Sequence, residues 1–192
     1  MGRVGEALFV DANVWFSRTL RDWIGMTYVA PIHQPLFEVY WSEDVLAELL
    51  FHLRKKHPDW SGERITGIRD RLADTFSMGR VTGFDTSSYT GPDPHDAHVH
   101  AAAVACGATI LLTWDTTGFG PDRDELPYEV LTPDEFLVLL DEASPQLVAS
   151  VTRQMRDYWI DRTGEADLPR ALERERCPEF ARRVRLHLQR DL

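Results

Sequence analysis

Short apolar runs along this chain alternate with segments in which apolar residues recur every three or four positions. Residues 7–10 form an apolar run that predicts a buried strand, and residues 14–24 predict the helix that follows it. Residues 109–114 and 128–131 predict two further strands. Strands that alternate with helices indicate a parallel sheet covered by helices, so we expect an α/β fold.

Polar residues and glycine mark where several helices begin and end. Ser42 is placed to cap a helix with a stripe of leucines, and residues 61–76 predict another helix. Residues 80–84 predict a short strand. Asp93 is placed to cap a helix that ends at Gly107.

A cap residue followed by proline occurs twice in the last third of the chain, at residues 132–133 and 144–145. The first pair predicts the start of one more helix. The second pair leads into Arg-rich sequence with helical periodicity. We therefore expect a domain at residues 1–143 and an Arg-rich helical extension at residues 144–192.

The composition is that of a soluble globular protein. With 192 residues and 43% hydrophobic content, the chain is long enough for one domain of ordinary size and an appendage. No apolar run approaches the roughly 20 residues that span a bilayer, and the first residues lack the apolar stretch of a signal peptide. We expect a cytoplasmic protein with no membrane partner. Cys106 and Cys177 lie outside any CxxC motif, which predicts reduced thiols.

The net charge of −10 argues against binding nucleic acid by bulk attraction, because such proteins usually carry a broad basic surface. The charge is unevenly distributed. Residues 1–144 contain 11 basic and 23 acidic residues, whereas residues 145–192 contain 10 arginines and 8 acidic residues. The excess acid therefore lies in the first part of the chain, where most of it is expected to serve solubility.

Four acidic residues each lie beside an apolar segment in that first part. A carboxylate just past a buried strand, or at the start of the next helix, projects into the crevice where open α/β sheets bind ligands. Several carboxylates there would repel one another unless a divalent cation neutralised them, and hard oxygen ligands suit Mg²⁺ or Mn²⁺. The candidates are Asp11, Glu48, Asp96 and Asp115.

Structural roles for the same acids remain open. Asp11 could cap the helix after the first strand, since strand-to-helix turns often use aspartate. Glu48 could be a solvated helix flank, and Glu43 lies close enough in sequence to compete with it. Of the pair Asp93 and Asp96, Asp93 is the better cap and Asp96 the better ligand.

Three histidines, His95, His98 and His100, suggest a zinc site, because the first two could share one helix face. No cysteine or glutamate at an established zinc spacing completes the pair, so solvated or capping roles are favoured. The basic run at residues 54–56 could contact phosphates, although such a run is usually a solvated helix face. Trp114 is the tryptophan best placed for base stacking, beside Asp115.

Taken together, the segments FVDAN (9–13), LAEL (46–49), PHDAHVHAAA (94–103) and LTWD (112–115) resemble the ordered acidic motifs of PIN-domain nucleases. The closest branch is the VapC-type ribonuclease toxins of type II toxin–antitoxin pairs. The resemblance covers roughly residues 7–143 and depends on the order and spacing of several motifs, which makes it more specific than any one of them.

This resemblance implies a PIN-like three-layer α/β/α sandwich with a mainly parallel central sheet, followed here by a C-terminal helical extension. It also implies a Mg²⁺-dependent endoribonuclease, in which Mn²⁺ can substitute. Asp11, Glu48, Asp96 and Asp115 match the metal-binding acids by position. The positions that often support those acids are matched by Asn13, Asp93 and Thr113.

The resemblance further implies an RNA substrate, a cognate antitoxin protein and a homodimer. One departure concerns the fourth acid. Many family members carry asparagine at the place of Asp115 and an acid three residues later, where this chain has Gly118. Whether Asp115 or a neighbour acts as the fourth ligand is therefore left open.

Two other functions remain as alternatives. One is a catalytically silent PIN-fold interaction module, which an incomplete ligand set would favour. The other is an aspartate-based phosphoryl-transfer protein with Asp11 as the acceptor. The segment after Asp11 lacks a second acid two residues on, and no lysine lies near Thr113 or Asp115 to hold a phosphoryl group.

Overall fold

The structure is a computed structural model and describes residues 5–30, 36–87, 89, 91, 93–119 and 125–190. Its centre is a parallel sheet of four strands in the order β2-β1-β3-β4. The strands are β1 (Glu6–Val10), β2 (Phe37–Tyr40), β3 (Ile110–Leu112) and β4 (Glu129–Leu131). The predicted α/β fold class is confirmed, and the arrangement agrees with a PIN-like α/β/α fold.

The strands pair in register because each presents apolar side chains to both faces. Leu8 pairs with Ile110 and Val10 pairs with Leu112 between β1 and β3. The side chains of Leu8, Val10 and Leu112 are fully buried. Such continuous apolar runs are typical of parallel strands that are covered on both faces.

Helices account for most of the remaining described chain. Several begin at a serine whose hydroxyl accepts a backbone N–H three residues on, as Ser17, Ser42 and Ser61 do. The α-helices are α1 (Ala12–Trp15), α2 (Arg18–Val29), α3 (Glu43–Lys56), α4 (Gly62–Thr75), α5 (Ala97–Ala105), α6 (Pro133–Ala143), α7 (Pro145–Thr163), α8 (Leu168–Arg174) and α9 (Pro178–Arg190).

The chain divides into two compact units. The first comprises residues 1–16 and 35–132, and contains the sheet with α1, α3, α4 and α5. The second comprises residues 17–34 and 133–192, and contains α2 with α6 to α9. This division of contacts groups α2 and α6 with the C-terminal helices, while the domain boundary expected at residue 144 stays a prediction.

The core of the second unit is apolar with one buried polar cluster. Trp23 on α2 meets Phe180 on α9 edge to face, with ring centroids 4.9 Å apart. Asp141 on α6 accepts hydrogen bonds from His187 at 2.6 Å and from Arg183 at 3.0 Å. These bonds satisfy a carboxylate that is only 6% exposed.

Several local predictions were wrong. The helix expected at residues 14–24 is two helices, because Ser17 caps a new one. The strand expected at residues 80–84 is reduced to an isolated bridge between Arg80 and Trp41, beside the positive φ of Gly83. The short strand β2 and the seven-residue helix α8 were not predicted, since neither is long enough for a clear period.

Asp93 caps the single 3₁₀ turn Pro94–Asp96, after which α5 begins, and Gly107 follows that helix with a φ of +66°. Glycine, proline and acidic residues at positions 118–127 predict a loop before β4, and part of that segment lies outside the described residues. Among the described residues, no helix combines the length and apolar character needed to cross a membrane.

Candidate functional site

The candidate acids gather at the carboxyl edge of the sheet in the first unit. The chain passes from β1 to β2 on one side of β1 and later returns to form β3 on its other side. The carboxyl ends of β1 and β3 therefore lie at a topological switch point of the sheet. Asp11 follows β1 directly, and Thr113 and Asp115 follow β3. Glu48 lies on α3, the helix that follows β2, and Asp96 immediately precedes α5. The sheet therefore places one acid from each predicted motif near the crevice where such folds bind ligands.

Asp11 is buried and held by its neighbours. Its Oδ2 atom accepts hydrogen bonds from the Asn13 side-chain amide at 2.7 Å and from the Thr113 hydroxyl at 2.7 Å. Asn13 in turn accepts the backbone N–H of Trp114 at 3.1 Å. Burial raises the pKa of Asp11, the Thr113 hydrogen bond opposes that rise, and the charge of Glu48 adds to it. Asn13 and Thr113 thus orient this carboxylate from two adjacent strand ends.

Asp96 is a second carboxyl group of the site whose pKa is raised. Burial, followed by the charges of Asp11, Asp93, Asp115 and Glu48, raises its pKa from 3.8 to about 6. Its Oδ2 atom is buried and has no hydrogen-bond partner among the residues that the structure describes.

The two acids of the third motif have different partners. Asp93 accepts the His95 backbone N–H at 2.9 Å and so acts as the cap of the turn. Asp96 makes no such cap bond. This geometry agrees with the expectation that Asp93 caps and leaves Asp96 available to a ligand.

Asp115 organises the turn after β3 with one of its oxygens. Its Oδ1 atom accepts the backbone N–H and hydroxyl of Thr117, both at 3.0 Å, and the Gly118 N–H at 2.8 Å. The pKa of Asp115 is lowered, first by the Thr117 backbone bond. These contacts use Oδ1 alone.

Gly118 lies where the two carboxylates of Asp96 and Asp115 approach each other. A Cβ atom added to Gly118 would lie 2.2 Å from Asp96 Oδ2 and 2.9 Å from Asp115 Oδ2. Gly118 has no positive φ, so its conformation alone does not call for glycine. The absence of a side chain here is therefore a matter of space for the carboxylates. In this chain two aspartate oxygens occupy the room that an acidic side chain at residue 118 would need.

Glu48 lies between two histidines. Its Oε1 atom is 3.4 Å from His52 Nε2, and its Oε2 atom is 3.5 Å from His98 Nε2. Contact with His98 lowers the pKa of Glu48, and the same contact raises the pKa of His98. His52 lies one turn after Glu48 on the same helix, whereas His98 lies on α5 and meets Glu48 only after folding, so no sequence spacing signalled it.

A small aromatic cluster borders the same site. Tyr89 donates a hydrogen bond to the Gly118 carbonyl at 3.0 Å, and its pKa is raised first by burial and then by Asp96, Asp93 and Asp115. His100 Nδ1 is 2.6 Å from the buried Tyr128 hydroxyl. No spacing in the sequence signalled Tyr89 or Tyr128. The three histidines of the 95–100 segment thus have different surroundings, since His98 faces Glu48 and His95 is exposed.

The donor set fits a hard divalent cation in its chemistry. An unpaired carboxylate oxygen on Asp96 and the mutual repulsion of the neighbouring acids are what a bound cation would relieve. The side chains are not drawn together as a ligand shell. Among the described residues, no three His, Cys, Asp or Glu side chains are arranged so that they could hold a metal ion.

A parallel sheet with carboxylates at its switch point defines an α/β protein with a nuclease-like fold. A family model described as PIN domain matches residues 7–117, which contain all four candidate acids. Because this match covers more than half of the chain, the chain belongs to the PIN-domain family. PIN domains are generally metal-dependent nucleases that act on RNA. No curated protein and no solved structure matches the chain significantly.

Proposed function

We propose that this protein is a Mg²⁺-dependent endoribonuclease, with Mn²⁺ as a substitute ion. The observation that carries the proposal is the state of Asp96 at the carboxyl edge of the sheet. Its buried Oδ2 atom lacks a partner in the described part of the chain, and burial together with the charges of four other acids raises its pKa to about 6. Repulsion among these carboxylates lowers the stability of the folded protein. Clustered carboxylates are, however, what a site needs to hold a divalent cation that in turn binds a phosphodiester.

The roles of the acids follow from how each is held. Asp11 and Asp96 are the principal metal ligands in this proposal, because one is oriented by two hydrogen bonds and the other has a free oxygen. Asp115 completes the site or orients the attacking water through Oδ2, since Oδ1 is used by the turn. Glu48 positions a second ion or a hydrated metal. A bound divalent cation would supply charge neutralisation on the phosphate and activation of water.

The supporting residues act on the orientation of the carboxylates. Asn13 and Thr113 both donate to Asp11 Oδ2, which limits rotation of that carboxylate and leaves Oδ1 for other contacts. Outer contacts of this kind typically change metal affinity or activity by about 10–100-fold when removed. Asp93 keeps the turn before α5 in place and so sets the position of Asp96.

We further propose that the nuclease is the toxin of a toxin–antitoxin pair, acts as a homodimer and is inhibited by a cognate antitoxin. This proposal rests on the resemblance of its motifs to VapC-type toxins and on its membership of the PIN family. A small open reading frame directly upstream that encodes an inhibitor of the purified protein would support it. Cleavage unaffected by the product of any adjacent frame would contradict it.

A catalytically silent PIN module is the second candidate, and one observation favours it. No group of three potential ligands among the described residues is arranged to hold a metal ion. In this case the acids would remain without a cation, and the fold would serve binding alone.

Cleavage assays separate the two candidates. The purified protein is incubated with total RNA and with defined structured RNAs in Mg²⁺, in Mn²⁺ and in EDTA. We expect discrete cuts with either metal, none in EDTA, and none from an Asp11→Asn/Asp96→Asn variant. A control variant, Asp59→Asn/Asp74→Asn, removes two exposed acids of the same unit and should cleave normally.

Two results would contradict the nuclease. One is an absence of cuts by folded wild-type protein with either metal. The other is cleavage that survives in the Asp11→Asn/Asp96→Asn variant, which would point to a contaminating enzyme.

A further inference from the structure

A groove of about 460 Å³ opens beside the candidate site, entirely within the first unit. It has an acidic end and a basic end. The acidic end contains Asn13 and Glu48, which belong to the site described above. The basic end contains Lys55 and Lys56, and the lining between the ends includes Phe16 and His52.

The basic end is unusual for this chain. Lys55 and Lys56 are its only two lysines, and the first unit is strongly acidic. Both lysines lie in the last turn of α3 and are exposed. Neither makes an ion pair with any residue in the part of the chain that the structure describes. Among the described residues, therefore, no carboxylate neutralises either charge.

The geometry of α3 connects the two ends. Glu48, His52 and Lys55 are separated by four and three residues, so they share one face of the helix. A rise of 1.5 Å per residue separates Glu48 from Lys55 by about 10 Å along the axis. If an RNA strand is cleaved beside Glu48, the scissile phosphate is too far from the lysines to contact them. A neighbouring phosphate of the same strand would contact them instead.

The neighbours of Lys56 keep it at the groove. Its ammonium group lies 4.4 Å from the centroid of the Phe16 ring, a cation–π contact. His52 meets the same ring edge on, with centroids 6.5 Å apart. Arg54, the third residue of the basic run, instead donates to the Trp60 carbonyl at 3.0 Å. Only the two lysines of the run thus line the groove.

We propose that this groove binds the RNA strand next to the cleavage site, with Lys55 and Lys56 contacting backbone phosphates. The proposal rests on the proposed ribonuclease function, because it assigns the flanking part of the same substrate. The charge pattern favours a polyanion over a protein segment, since two ammonium groups without a carboxylate partner among the described residues border the proposed site for a phosphodiester. The Phe16 ring below Lys56 holds one of these ammonium groups beside the groove.

Binding is measured without cleavage to test the proposal. A fluorescent single-stranded RNA is titrated with full-length Asp96→Asn protein at several salt concentrations, and anisotropy gives Kd. In that background, Lys55→Gln/Lys56→Gln should weaken binding about tenfold. The slope of log K against log salt should fall in magnitude by about 1.4, because each phosphate contact on a single strand contributes about 0.7.

Two control variants separate charge at the groove from net charge. Arg71→Gln removes an exposed positive charge on α4 outside the groove and should leave Kd and the salt slope unchanged. Lys55→Arg/Lys56→Arg keeps both charges and should bind as tightly as the parent. Glutamine retains about half of the aliphatic stem of lysine, and circular dichroism checks that each variant is folded.

The outcomes distinguish this inference from the proposed function. If Lys55→Gln/Lys56→Gln changes neither the RNA affinity nor the salt slope, RNA does not bind in this groove, even if the wild-type protein cleaves RNA. The groove would then have another occupant, such as a protein segment. No RNA binding by the parent would also overturn it. Lysine-dependent binding without metal-dependent cleavage by the wild type would support the groove and contradict the nuclease.

Discussion

Replacing Asp96 by asparagine should stabilise the metal-free protein at neutral pH. The carboxyl group has its pKa raised from 3.8 to about 6 by burial and by its acidic neighbours, so its charged form opposes folding. Asparagine has nearly the same shape and carries no charge. The variant should therefore remove a source of repulsion, in addition to removing a proposed ligand.

The magnitude follows from the change in pKa. At about 1.4 kcal/mol for each pKa unit, a rise from 3.8 to about 6 corresponds to about 3 kcal/mol. The side chain is only half-buried, and solvent screening reduces this value to about 1–2 kcal/mol. For a chain of this length, that free energy corresponds to an increase in Tm of about 2–8 °C.

The stabilisation by Asp96→Asn should increase with pH. Between the two pKa values the folded state binds more protons than the unfolded state, so wild-type stability falls as the pH rises through that interval. The gain from Asp96→Asn should therefore be small at pH 4 and fully present at pH 7.5. Asp59→Asn, at an exposed position, should show no comparable gain.

Thermal unfolding of both variants and the wild type in EDTA, at pH 4 and pH 7.5, measures the effect. Addition of Mg²⁺ should then raise the Tm of the wild type more than that of Asp96→Asn, since a ligand that binds the folded state stabilises it. An Asp96→Asn variant no more stable than the wild type at pH 7.5, or a gain equal at both pH values, would show that the Asp96 charge does not oppose folding.

Three further substitutions test other parts of the structure. Gly118→Ala should weaken both the stabilisation by Mg²⁺ and cleavage, because its Cβ would displace the carboxylates of Asp96 and Asp115. The Tm in EDTA should change little, since these carboxylates can rotate away. A Mg²⁺ titration unchanged from that of the wild type would contradict this prediction. Asn13→Ala removes a donor to Asp11, so we expect about 10–100-fold weaker metal binding by calorimetry, and an unaltered affinity would argue against that role. Asp141→Ala removes the buried carboxylate that pairs with His187, while Arg183 keeps its contact with Glu142, and urea unfolding should show a loss of about 1–3 kcal/mol. A loss below 1 kcal/mol would show that the cluster is already solvated.

Much of the fold was predictable because its signals are local. The runs at residues 7–10 and 128–131 overlap β1 and β4, and the serine at residue 42 caps α3 as expected. A serine hydroxyl or an apolar period acts within a few residues of its own position. The break between α1 and α2 was missed although its cap, Ser17, is equally local, because the apolar period continues through it.

The order of apolar runs and acids along the chain is enough to predict that the carboxylates of Asp11 and Asp115 share one edge of a parallel sheet. The surroundings of those acids depend on tertiary packing. Packing brings His98 on α5 to Glu48, and it places Gly118 where its missing side chain leaves room for two carboxylates. Such contacts join residues far apart in the chain, and their distances depend on how helices and loops pack, which no local period encodes.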